Sequence, residues 1–137
     1  KIMFGAYNKR IKNVRTSNDW LTRDETVVDE YNAGKLTTFL FTVNGYRGLM
    51  NMILYVRKPR NIAKIPKNLP MLMVSGLDDP VGEYGKGVYR AYNTYHGHID
   101  DIDLRLFEDC RHELCNELNK EEIYEEIYGW IVDHMNK

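Results

Sequence analysis

The sequence predicts an α/β protein in which two parallel strands, separated by a helix, follow a mainly helical region. Two short segments have the composition of strands, residues 69–74 and 101–107. Between them and after them, apolar side chains recur at the 3.6-residue spacing of helices. The order strand, helix, strand favours a parallel crossover. Two strands are too few for a stable sheet covered on both faces, so we expect this sheet to need further strands.

The first half of the chain is predicted to be helical. Thr22 and Glu25 have the spacing of a capping box, and Gly34 would end the helix that they begin. From Gly45 the apolar residues again recur at helical spacing, which predicts a second helix. Prolines bracket residues 59–66, where we expect a loop.

The second half alternates between strand and helix. Residues 69–74 form a continuous apolar run, typical of a strand buried on both faces of a parallel sheet. A helix is predicted from about Lys86 to Tyr95, and the alternating residues from Asp101 to Phe107 predict the second strand. Asn119 is the expected N-cap of the last helix. Its apolar face would comprise Ile123, Ile127, Trp130, Ile131 and His134.

Charge is divided unevenly along the chain. Residues 1–70 hold 13 basic and 5 acidic residues, a balance of +8, whereas residues 71–137 hold 6 and 15, a balance of −9. Either a basic layer docked on an acidic layer or two solvated faces would explain this division. A basic half that meets an anionic substrate or a membrane surface is the alternative. No compact block of lysines and arginines is interleaved with aromatic residues, so we expect no nucleic-acid partner.

Two further features concern the protein's surroundings. No apolar run approaches the ~20 residues that a membrane-spanning helix needs, so we expect no transmembrane segment. Two cysteines do not make a disulfide framework, which favours a reduced, cytoplasmic protein.

An acid and a histidine follow the two predicted strands. Asp78 and Asp79 come at the end of the first strand, and His112 lies in the turn after the second. The carboxyl ends of parallel strands share one edge of a sheet, where sites form. A carboxylate on one imidazole nitrogen would leave the other nitrogen to activate a nucleophile. Neither Ser17 nor Ser75, the only serines, lies in a G-x-S-x-G turn.

Simpler explanations of these residues stay open at this point. An Asp-Pro pair after a strand is usually a turn, and a histidine in an Arg-His-Glu turn is usually a surface residue. Cys110 and Cys115 flank His112. A metal-binding module is therefore a further hypothesis. Neither the spacing from Cys110 to His112 nor that from His112 to Cys115 matches a zinc motif, and we expect no metal.

Several segments resemble one protein family. Residues 69–76, Leu-Pro-Met-Leu-Met-Val-Ser-Gly, followed by Asp-Pro-Val-Gly at 79–82, resemble the acid-strand motif of lysophospholipase and monoacylglycerol-lipase-like α/β-hydrolases, the serine aminopeptidase-type group. Residues 111–117 resemble the histidine motif of that family. Residues 4–10, 20–24 and 41–46 resemble its cap. The resemblance covers nearly the whole chain in a consistent order.

The resemblance implies the C-terminal part of an α/β-hydrolase. Residues 1–65 would form a helical cap or lid, and residues 66–137 the last strands and helices of the core. Asp79 matches the triad acid and His112 the triad base, with Asp78 as the second candidate for the acid. The nucleophilic serine and the oxyanion-hole donors would lie upstream of the cap, and nothing in this sequence matches them.

The activity implied by the resemblance is hydrolysis of carboxylic esters of lipid-like substrates through an acyl-enzyme, without a cofactor. This chain alone would then be inactive and would need a partner, the N-terminal half of the hydrolase, or would self-associate. The competing hypothesis is a non-catalytic fragment or truncated product that folds only against a partner chain.

Overall fold

The computed structural model describes residues 6–135 and contains a parallel sheet flanked by helices. The first half has three α-helices after a 3-10 turn at Tyr7–Arg10: α1 (Glu25–Ala33), α2 (Val43–Val56) and α3 (Pro59–Ile62). The second half comprises β1 (Met71–Gly76), α4 (Lys86–His96), β2 (Ile102–Phe107), a 3-10 turn (Leu114–Asn116) and α5 (Lys120–Met135). The α/β class is therefore confirmed. Phe4 and Gly5, which the cap resemblance included, lie outside the described residues.

The two strands run parallel in register. Met71 is opposite Ile102 and Gly76 is opposite Phe107, so both strands end at the same edge. At that edge the N–H of Leu77 donates to the carbonyl of Phe107. Within residues 6–135, β1 pairs with β2 alone and its other edge carries no strand. Val74 is exposed, so the apolar run is not covered on both faces within this part of the chain.

Helix α1 begins at Glu25, two residues later than the capping-box pattern predicts. Asp24 is its N-cap and accepts hydrogen bonds from the N–H groups of Thr26 and Val27. The hydroxyl of Thr22 instead donates to the carbonyl of Asn116, far along the chain. The prediction that Thr22 caps this helix is therefore wrong, because Asp24 occupies the N-cap position and the hydroxyl of Thr22 accepts only from the N–H of Asp24, before the helix begins.

Two further boundaries differ from the predictions, and one agrees. Helix α2 begins at Val43 rather than Gly45, because the hydroxyl of Thr42 accepts a hydrogen bond from the N–H of Gly45 and caps it. The predicted loop after Pro59 holds the short helix α3, with that proline in its first turn, a position that suits its fixed φ. Gly34 ends α1 as predicted.

The best-buried cluster lies under the carboxyl end of β2. Cys110, Leu114 and Ile123 are buried together there, and Phe107 and Ile127 pack against them. Ile123 and Ile127 belong to the apolar face predicted for the last helix. This cluster supports the loop between β2 and α5, which carries His112. No helix in the described part of the chain is both long and apolar enough to cross a membrane.

Candidate active site

The acid and the histidine meet at the shared end of the two strands. A carboxylate oxygen of Asp79, Oδ2, lies 3.1 Å from Nδ1 of His112. The other carboxylate oxygen of Asp79 accepts a hydrogen bond of 2.8 Å from the N–H of Val81, which fixes the carboxylate plane. The side chain of Asp79 is only 8% exposed, whereas that of His112 is 37% exposed. The buried acid therefore holds a histidine that solvent or a reactant can reach.

The neighbouring acid, Asp78, points elsewhere. Its side chain is exposed, and its backbone N–H donates to the carbonyl of Cys110 at 2.8 Å. Asp78 thus contributes a backbone contact to the loop after β2, while Asp79 supplies the carboxylate that reaches the imidazole.

The contact determines which nitrogen of His112 carries the proton. An ionised carboxylate only accepts hydrogen bonds, so Nδ1 of His112 must donate to Asp79. In the neutral imidazole, Nε2 then keeps a free lone pair and is the basic atom. The hydrogen bond with Asp79 raises the pKa of His112, while partial burial of the ring works in the opposite direction.

Close packing of the two strand ends brings these side chains together. A Cβ atom added to Gly76 would lie 2.0 Å from the carbonyl oxygen of Cys110 and 2.3 Å from that of Arg111. Real Cβ contacts are essentially never below 3.0 Å. Only glycine therefore lets the loop after β2 cross so close to the end of β1, immediately before His112.

A buried carboxylate anchors the histidine loop. Glu117 is fully buried and accepts hydrogen bonds from the backbone N–H of Arg111 at 2.7 Å and from Nε of Arg23 at 2.8 Å. The guanidinium of Arg111 donates in turn to the carbonyls of Asp19 and Thr22. These contacts tie residues 19–23 to the loop on both sides of His112.

An aromatic side chain covers one side of the histidine. The ring centroids of Trp20 and His112 are 5.1 Å apart, with their planes tilted by 46°. Tyr7 packs edge-on against Trp20 at 4.9 Å. This packing and the Arg23–Glu117 pair were not predicted. The sequence signal for both is the pair of segments 20–24 and 111–117, which the family resemblance singled out and which contact each other here.

Among residues 6–135, the serine and cysteine candidates form no hydrogen bond with the side chain of Asp79 or His112. The Oγ atom of Ser75 faces the carbonyl of Gly76 in the buried end of β1. Cys110 is buried with its thiol 3.4 Å from the side-chain oxygen of Asn119, while Cys115 is exposed. Neither cysteine joins His112 in a cluster of possible metal ligands among residues 6–135. The metal-module hypothesis therefore lacks the geometry it requires.

Comparison with protein families identifies the chain. A family model described as "Serine aminopeptidase, S33" matches residues 2–119. The chain belongs to the serine aminopeptidase S33 family. This family consists of α/β-hydrolases, so the resemblance noted in the sequence is confirmed at the level of the family. No curated protein matches the chain.

Two solved structures share the fold of this S33 family member. A highly thermostable carboxyl esterase from Bacillus coagulans, in complex with glycerol, superimposes with a TM-score of 0.80 at 24% identity, over 97% of this chain and 43% of the esterase. A lipase in its open form gives a TM-score of 0.77 at 24% identity, over 96% of this chain and 43% of the lipase. The chain therefore spans less than half the length of both structures.

Proposed function

We propose that this chain supplies the acid and the base of a serine hydrolase that cleaves carboxylic esters. The observation that carries the proposal is the hydrogen bond between the buried carboxylate of Asp79 and Nδ1 of His112. Membership of the S33 family supports the same reaction class. The carboxyl esterase and the lipase support the α/β-hydrolase fold.

In the proposed mechanism, His112 moves the proton and Asp79 orients His112. Nε2 of His112 would take the proton of a serine hydroxyl as that oxygen attacks the ester carbonyl. Asp79 would stabilise the imidazolium that forms, because its carboxylate already accepts the Nδ1 proton. His112 would then return its proton to the leaving alcohol, and a water molecule would release the acyl group by the same route.

The nucleophile of this reaction would come from outside this chain. Neither Ser17 nor Ser75 lies in a G-x-S-x-G turn. We therefore propose that the partner is the N-terminal half of the hydrolase, carrying the serine and the oxyanion donors, and that this chain alone is inactive. The strand-free edge of β1 supports such a partner, because an apolar strand with an open edge is a pairing and aggregation site.

Residues 1–65 are proposed to be the cap and residues 66–137 the end of the core. The substrate class is proposed to be lipid-like esters, of the lysophospholipase or monoacylglycerol-lipase type. The exposed apolar side chains of α2 support an apolar acyl group as the ligand of the cap. The location is proposed to be the cytoplasm, consistent with two unpaired thiols.

The test is ester hydrolysis by this chain together with the protein encoded upstream of it. With p-nitrophenyl butyrate as substrate, we expect His112→Ala to lower kcat/KM by about 10⁴–10⁶-fold and Asp79→Asn by about 10⁴-fold. Asp78→Asn removes the same charge one residue away and should change the rate by no more than a few fold. Equal losses for the two aspartate variants, or turnover by this chain alone above a His112→Ala control, would contradict the proposal.

A further inference from the structure

The chain contains a long stretch with positive charge and no acidic residue. Between Glu30 and Asp78 there is no aspartate or glutamate, but there are seven basic residues. All seven side chains are exposed, and within residues 6–135 none of them forms an ion pair: Lys35, Arg47, Arg57, Lys58, Arg60, Lys64 and Lys67. Their charge is therefore available to an external anionic surface.

The same stretch exposes large apolar side chains. Leu36 and Leu40 are each 86% exposed, and Val43 is 85% exposed. In α2, the five consecutive residues from Met52 to Val56 are all exposed. At 3.6 residues per turn, five consecutive side chains point in every direction around a helix. A single packing surface against one face of α2 would therefore leave other apolar side chains uncovered.

The charged and the apolar parts adjoin at the corner between α2 and α3. The N–H of Arg57 donates to the carbonyl of Ile53, and the N–H of Lys58 donates to the carbonyl of Tyr55. The side-chain amide of Asn61 also donates to the carbonyl of Tyr55, which closes the corner. Three of the basic residues, Arg57, Lys58 and Arg60, thus follow directly after the exposed apolar turn of α2.

We propose that the exposed side chains of residues 35–67, termed here the basic apolar surface, dock on an anionic phospholipid bilayer. Apolar side chains on an interfacial helix enter the boundary between headgroups and acyl chains, about 5–10 Å deep. Exposed lysine and arginine side chains are attracted to the anionic headgroups. Charge complementarity selects this occupant, because the surface holds only positive charge beside its apolar side chains.

This arrangement is binding at the surface of a membrane, not insertion across it. A 14-residue helix such as α2 is shorter than the ~20 residues that span a bilayer. The surface contains neither Asp79 nor His112, but it shares the exposed apolar side chains of α2 with the proposed acyl-binding cap. Its basic residues have no role in the proposed catalysis, so variants of these residues can change vesicle binding without changing ester hydrolysis.

Vesicle flotation tests the proposal on the 137-residue chain and on its complex with the protein encoded upstream. Bound protein floats with vesicles in a density gradient, whereas aggregated protein sinks. We expect flotation with vesicles of phosphatidylcholine and phosphatidylserine, and little with phosphatidylcholine alone. Each basic residue near an anionic bilayer contributes roughly fivefold in affinity, so the triple variant Arg57→Gln/Lys58→Gln/Arg60→Gln should bind roughly a hundredfold more weakly.

A matched variant removes the same charge elsewhere. Lys9, Lys12 and Lys86 are exposed and lie outside the basic apolar surface, so replacing all three by glutamine should leave flotation within a few fold of the unchanged chain. Equal loss in both triple variants would show a general charge effect and overturn the proposal. Equal binding to both vesicle types would also overturn it. Loss of flotation in the complex would show that the hydrolase itself covers this surface, and would overturn it as well.

Discussion

Replacing Gly76 by alanine should separate the two ends of the sheet that hold the proposed catalytic pair. The new Cβ would lie 2.0 Å from the carbonyl oxygen of Cys110 and 2.3 Å from that of Arg111. To reach the 3.0 Å that real contacts respect, these carbonyls must move by about 1 Å. The hydrogen bond from the N–H of Asp78 to Cys110, now 2.8 Å, would stretch or break.

These contacts determine how much stability the substitution removes. Overpacking a close-packed site costs about 1–3 kcal/mol, and losing one hydrogen bond about 0.5–1.5 kcal/mol. Gly76→Ala should therefore lower the free energy of unfolding by about 2–4 kcal/mol. Because Arg111 directly precedes His112, the 3.1 Å contact between His112 and Asp79 should also be lost.

Denaturant unfolding of Gly76→Ala and of Gly129→Ala, purified in the same assembly state, measures this effect. Gly129 lies in α5, and nothing is within 4 Å of an added Cβ there. Gly129→Ala should therefore stabilise the protein by about 0.5–1 kcal/mol, since alanine is the better helix former. Unfolding of Gly76→Ala at the same denaturant concentration as the unchanged chain would show that position 76 accommodates a Cβ atom and that the close approach does not require glycine.

Three further predictions concern the anchor of the histidine loop, the catalytic pair and the assembly. Arg23→Met leaves the buried carboxylate of Glu117 without its cation and should lower the free energy of unfolding by about 3 kcal/mol. Arg105→Met removes an exposed ion pair and should lower it by less than about 1 kcal/mol. Similar losses in the two variants would contradict the role of the buried pair. Because Asp79 raises the pKa of His112, their contact stabilises the fold fully below the ordinary histidine pKa of about 6.5, and this contribution is lost as the pH rises through the raised pKa. Asp79→Asn should therefore destabilise the protein more in mild acid than in alkali. An equal loss of stability at the two pH values would contradict the contribution of the Asp79–His112 contact. In sedimentation, the chain should self-associate or travel with the upstream half, and a lone, cooperatively folding monomer would contradict the proposed need for a partner.

Local patterns predicted the second half of the chain well. Continuous apolar residues before Gly76 and alternating residues before Phe107 indicated β1 and β2, and helical spacing indicated α4 and α5. The meeting of Asp79 with His112 followed from the rule that parallel strands end at one edge. The choice of Asp79 over Asp78 did not follow from the pattern, because two adjacent residues after a strand are equivalent until the turn is known. Family resemblance made that choice.

Long-range contacts account for what the sequence did not predict. The Arg23–Glu117 pair joins residues far apart in the chain, and no local spacing in the sequence indicates which carboxylate pairs with which guanidinium. Thr22 had the pattern of a helix cap, but Asp24 caps the helix, and the hydroxyl of Thr22 donates to the distant carbonyl of Asn116. The requirement for Gly76 likewise depends on the path of the loop after β2, which is a property of the folded chain.

The proposed acid–base pair requires one tautomer of His112, the one with its proton on Nδ1. Nitrogen NMR of the imidazole, recorded on the assembled protein, reports which ring nitrogen is protonated in the neutral form and how the pKa depends on Asp79. We expect a proton on Nδ1 hydrogen-bonded to Asp79, a free Nε2, and a fall in the pKa of His112 in Asp79→Asn but not in Asp78→Asn. A proton on Nε2, with a pKa that Asp79→Asn leaves unchanged, would contradict the proposed acid–base pair.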